Sequence, residues 1–169
     1  YRIVLNQSPF YAESGGQVGD IGIIQAKNFE FIVSDTFKFN GSIFGHAGYV
    51  QSGKINLNDK ANAVINISHR SNIKRNHSAT HLLHKALKII LGEHVEQKGS
   101  LVDSVKTRFD FSHNKALNSK EIKEVELIVN SEILQNQVTQ TRLIKIEEAE
   151  KEGAMMLFGE KYEEQVRVL

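Results

Sequence analysis

The sequence predicts an α+β protein: a glycine-rich β-barrel-like subdomain over 1–70, packed on a two-layer α+β core over 71–169. Three observations lead there. Up to about residue 68, apolar residues alternate in short runs, the period of a strand with one buried face. Glycines at 15, 16, 19, 22, 41, 45, 48 and 53 punctuate those runs, as turns and close backbone approaches require. After residue 70 the period lengthens to that of helices, and helix caps appear.

Element by element, 1–5, 22–26, 29–39, 43–50 and 60–67 read as strands of a small barrel or sandwich. Asn76 can cap a helix that runs to about Leu91, with Gly92 as its stop. The alternation over 100–111 predicts a strand or hairpin. Asn118 followed by Glu121 makes a capping box for a second helix over 119–136, and a strand over 138–146 and an acidic helix over 147–152 follow.

Composition bounds the chemistry. With 40% hydrophobic and 24% charged residues the chain is an ordinary globular one. A net charge of +1 and a pI near 8.1 provide no global basic field, so any nucleic-acid contact must come from local patches; this argues against a general DNA coat. Without cysteine, metal chemistry within these 169 residues falls to histidine and carboxylate. No run reaches the roughly 20 apolar residues of a membrane span, and the start lacks a signal-peptide layout, which fits cytoplasmic residence. A start without Met suggests an excised piece.

The segment His77-Ser78-Ala79-Thr80-His81 on a helix places the second imidazole about 40° from the first, with His84 about 20° to the other side. Ala79, Leu82, Leu83, Ala86 and Ile90 lie on the opposite side, so the histidine stripe is expected to face away from the core. Two imidazoles one turn apart can share a zinc ion that takes two further ligands, or one and a water. On the spacing alone, a solvated polar face is the plainer reading. His84 reads as a surface residue or one that supports the site, and His46, His69, His94 and His113 read as loop or turn residues.

Residues 10–20 join Phe10, Tyr11, Glu13, Ser14, Gly15, Gly16, Gln17 and Asp20 in one turn-rich loop. No Lys-Ser/Thr follows the glycines, so it is not a phosphate loop. A tight turn is the plain alternative. In the strand ending Thr107-Arg108-Phe109-Asp110-Phe111, the aromatics alternate toward the core and the charges toward a cleft or solvent. Gln97 and Ser100 offer neutral hydrogen bonds. Arg70, Lys74 and Arg75 form the densest basic run, placed to meet a phosphate backbone beside the histidines or simply to solvate a loop.

Five strings, FYAESGGQVGD at 10–20, HSATH at 77–81, QKGSLV at 97–102, RFDFSHN at 108–114 and GAMMLFGEKY at 153–162, together resemble the editing region of alanyl-tRNA synthetases. More distant kin are free-standing alanyl-tRNA editing proteins and the threonyl-tRNA synthetase editing domain. The resemblance implies an editing core that hydrolyses seryl- or glycyl-tRNA(Ala), within a parent that attaches alanine using ATP. A second sieve is needed because one methyl or hydroxyl discriminates by only about 10 to 200-fold.

The resemblance also implies zinc on His77 and His81, completed by a Cys-x-x-x-His pair that this sequence lacks. Weak or absent metal and little hydrolysis are therefore expected of the chain alone. Gln97 would line the amino-acid pocket, with Glu13, Ser14 and Gln17 beside the same cleft and the tRNA(Ala) acceptor end as partner. Two alternatives stay open: a free-standing trans-editing hydrolase, and a non-catalytic tRNA-binding module.

Overall fold

The computed structural model describes residues 1–138, 140–154 and 164–168. They form two compact units, Tyr1–His81 with Gly99–Phe109, and Leu82–Lys98 with Asp110–Leu169. In the first unit, β1 (Arg2–Val4), β2 (Gly22–Ala26), β3 (Phe29–Phe39), β4 (Ile43–Gly53) and β5 (Asn62–Ile65) make one antiparallel sheet in the order β1-β4-β3-β2-β5. Among the described residues no ladder joins β1 to β5, so a closed barrel is not seen. The mixed α and β composition is as expected.

Strand alternation builds the core of this unit. Phe29, Phe31 and Val33 point one way from β3 and are buried with Ile24 and Phe10. Burying one such aromatic contributes about 2–3 kcal/mol. The β3–β4 register shifts at Glu30/Phe31 and Val33/Asp35, bulges that bend these long strands.

His46 belongs to this core. It lies in β4, fully buried, and not in a loop as its sequence context suggested. Ile3 O can only accept, so Nδ1 carries the proton at 3.0 Å, while Nε2 accepts from the Ser8 hydroxyl at 2.7 Å. Both ring nitrogens are thus satisfied in the neutral form, and the ring edge meets Phe10 at 5.1 Å.

Helix α1 (Ile67–Leu91) starts ten residues earlier than the Asn76 cap predicted. Asn66 supplies the start, its Oδ1 accepting the His69 N–H at 2.9 Å. Asn76 lies inside the helix, where its Nδ2 donates to Asp103 O at 2.8 Å. The tertiary partner satisfies an amide that the sequence alone assigns to a helix end. His69 and the basic run therefore also lie on the helix. Gly92 ends it at φ 115, its N–H donating to Lys88 O.

Strands β6 (Gln97–Val102) and β7 (Thr107–Phe111) form a two-stranded sheet, resolving the predicted strand or hairpin into the latter. Arg108 and Asp110 are exposed and Phe109 and Phe111 half-buried, the expected alternation. In the second unit, α2 (Ser119–Gln135) begins at Asn118 with the predicted capping box and ends at Asn136 in left-handed geometry. Strands β8 (Arg142–Lys145) and β9 (Gln165–Val168) pair antiparallel around α3 (Ile146–Lys151). Residues 155–162 of the GAMMLFGEKY string lie outside the described residues. Among the described residues no helix is long and apolar enough to cross a membrane.

Burial holds the pKa values of His46, His77 and His84 below the ordinary 6.5. Below that value the unfolded chain takes up protons that the folded chain resists, so stability is complete above about pH 6.5 and falls on acidification. In urea titrations across this range, His46→Gln is expected to flatten the acid loss; an unchanged pH slope would exclude His46 as a contributor.

Candidate functional site

The segment at 10–20 is a turn that folds back on itself. Ser14 and Gln17 exchange backbone hydrogen bonds at 3.2 and 3.0 Å, and Gly15 (φ 57) and Gly16 (φ 80) hold the positive φ values of a two-residue turn. The turn lies against β6 within the first unit. Val102 N donates to Gly16 O at 2.8 Å and Val18 N to Val102 O at 3.1 Å, bringing Gln17 and Val102 into a parallel bridge. A Cβ on Gly16 would sit 2.2 Å from Ser100 Oγ and 2.6 Å from Ser100 O, so only glycine fits.

At the base of the segment, Asp20 is buried and its carboxylate accepts the Tyr11 N–H at 2.6 Å. Arg70 clasps it from α1, through Nε at 3.1 Å and a closer contact from the guanidinium terminus, while also donating to Pro9 O. The hydrogen bond to Asp20 holds the Arg70 pKa above its ordinary value. The Thr36 hydroxyl donates to Asp20 O. Sequence reasoning placed Arg70 with Lys74 and Arg75 and overlooked its match with Asp20, because the pair is 50 residues apart and no local pattern announces it.

Along α1, Ile73, Thr80, His84 and Leu87 are buried in one stripe, whereas Lys74, Arg75, Ser78 and Lys85 are exposed. His77 and His81 lie half-buried at the margin of that stripe. The expectation that the histidines face away from the core is corrected here, and so is the surface placement of His84. Thr80 can occupy the buried stripe because its hydroxyl is partnered, donating to Asn76 O and meeting the Thr107 hydroxyl at 2.6 Å, and His84 Nε2 lies 3.4 Å from Val95 O.

The two imidazoles stack at 5.0 Å between centroids and 17° between planes. Gln17 Oε1 lies 2.6 Å from His77 Nδ1. An amide oxygen has no proton to give, so Nδ1–H donates and the lone pair of His77 resides on Nε2. Burial lowers the His77 pKa and favours the neutral, ligating form. This donor set fits two ligands of a zinc ion, in chemistry and in the one-turn spacing. Among the described residues no group of three or more His, Cys, Asp or Glu is placed to hold a metal.

Of the other expected site residues, Glu13 and Ser14 lie in the exposed part of the turn, and Glu13 N is held by Thr36 O at 2.8 Å. Gln97 opens β6 and belongs to the second unit.

Residues 1–69 match the family model for tRNA synthetases class II (A). More particularly, alanine–tRNA ligases of Polynucleobacter asymbioticus, Nitrosospira multiformis and Dechloromonas aromatica are 54%, 55% and 56% identical over 167 residues, 99% of the chain. The chain spans 19% of the length of these relatives.

Removing either partner of the Asp20–Arg70 pair is expected to cost about 3–5 kcal/mol, because the other charge stays buried or half-buried without its counterion. In a double-mutant cycle followed by urea unfolding, Asp20→Ala with Arg70→Ala should cost less than the sum of the single changes. Additive losses would mean that the pair is not coupled.

Proposed function

We propose that the chain is the editing portion of an alanine–tRNA ligase, hydrolysing the ester of serine or glycine on tRNA(Ala) in the cytoplasm. The observation that carries this reading is the stacked His77–His81 pair with Gln17 Oε1 on His77 Nδ1. Support comes from the similarity to alanine–tRNA ligases, which holds across the whole histidine-bearing region. Within this reading, 1–70 is the barrel-like subdomain and 71–169 the editing core.

The imidazoles of His77 and His81 would hold zinc, which would supply Lewis-acid polarisation of a carbonyl or orientation of a water. Two further ligands must come from a Cys-x-x-x-His pair outside this sequence. The chain alone therefore binds zinc weakly and hydrolyses little, since half a coordination sphere provides much less binding free energy than a full one. Gln97 lines the amino-acid pocket, and Glu13 and Ser14, presented by the turn, contact the serine hydroxyl. Lys74 and Arg75, exposed on α1, meet acceptor-stem phosphates. Arg70, engaged with Asp20, holds the segment that presents the turn.

The test is deacylation of seryl-tRNA(Ala) by a full-length ligase carrying this region. His77→Ala with His81→Ala should lower deacylation at least 100-fold and leave alanine attachment within about two-fold, since the two activities use separate sites. Undiminished deacylation would refute the assignment.

A further inference from the structure

We propose that Gln17 is a positioning residue for His77: its Oε1 fixes the Nδ1–H tautomer and so commits Nε2 to metal binding. The inference rests on the editing reading for its consequence and on geometry alone for the tautomer. Two features make the contact a built one. The 2.6 Å separation is short for a neutral N–H···O hydrogen bond. The backbone of Gln17 is held on both sides, by Ser14 within the turn and by the flanking bonds of Gly16 and Val18 to Val102. The side chain therefore springs from a point that cannot drift.

The turn itself exists to make that point. Gly15 and Gly16 supply the two positive φ values, and Gly16 passes against Ser100 where any Cβ would collide. Asp20 and Arg70 then tie the end of the segment to the helix that carries His77, seven residues further along α1. One helix thus bears both the anchor of the segment and its target. A ligating histidine is commonly oriented in this way by an acceptor on its other ring nitrogen, and losing such an acceptor typically lowers metal affinity 10 to 100-fold.

In solution, imidazole distributes its proton between both nitrogens, so a ring without an acceptor at Nδ1 must reorganise before it ligates. Gln17 removes that step. With Oε1 engaged by His77, a role in serine recognition, the other expectation for this residue, would fall to its amide NH2.

The experiment is long-range 15N–1H NMR of the histidine rings in the 169-residue chain at pH 8, followed by Zn2+ titration read on the same signals. The unaltered chain should show His77 as the Nδ1–H tautomer. Gln17→Met should shift the ring toward Nε2–H and weaken Zn2+ binding at least 10-fold, with the thermal midpoint controlling for folding. Gln17→Glu, which keeps an acceptor oxygen, should restore both tautomer and affinity. An Nε2–H tautomer in the unaltered chain overturns the proposal, as does a Met variant with unchanged tautomer and affinity. The tautomer does not depend on catalysis. Intact deacylation in the double histidine variant with a fixed Nδ1–H would sink the editing reading and leave the positioning role standing.

Discussion

Asp20 sits where charge is expensive, and the segment at 10–20 is shaped around the need to neutralise it. Its carboxylate takes the Tyr11 N–H and the guanidinium of Arg70, and its carbonyl takes the Thr36 hydroxyl. A buried carboxylate without those partners would destabilise the fold by several kcal/mol. With them, the segment closes at its base, the sheet and the start of α1 are joined, and the glycine turn projects from a fixed frame. The position of Gln17 follows from this closure, and the ring orientation of His77 follows from Gln17.

The same frame explains why so polar a helix can be buried. Residues such as Thr80 and Asn76 would each leave a donor or acceptor stranded on a conventional apolar face. Each instead finds a partner, in Thr107 and Asp103 O. His77 and His81 then occupy the boundary between that face and solvent, and burial holds the His77 pKa below its ordinary value.

Parts of this arrangement were legible from residue order. Local rules located α2 to within a residue, because Asn118 and Glu121 form a cap whose bonds lie within four residues. The alternation of Phe29, Phe31 and Val33 marked a strand with one buried face, and the one-turn spacing of His77 and His81 placed the two rings side by side. Asn76 misled because its amide matches a cap in sequence and a tertiary donor in space, while Asn66, the residue that begins α1, was passed over. His46 reads as a loop or turn residue although it falls in the strand predicted over 43–50, and Ser8 and Ile3 satisfy both its nitrogens inside the core.

By itself the sequence determined the α+β class, the turn-forming glycines, the cap of α2, the histidine spacing and the similarity to alanine–tRNA ligases. All of these are set by interactions over a few residues or by whole motif strings. Only the tertiary structure decided that Arg70 belongs to Asp20, that the histidine stripe borders the buried face, and that Gln17 reaches His77 across 60 positions. Contacts of that range depend on which backbones are brought together, and no local period records it.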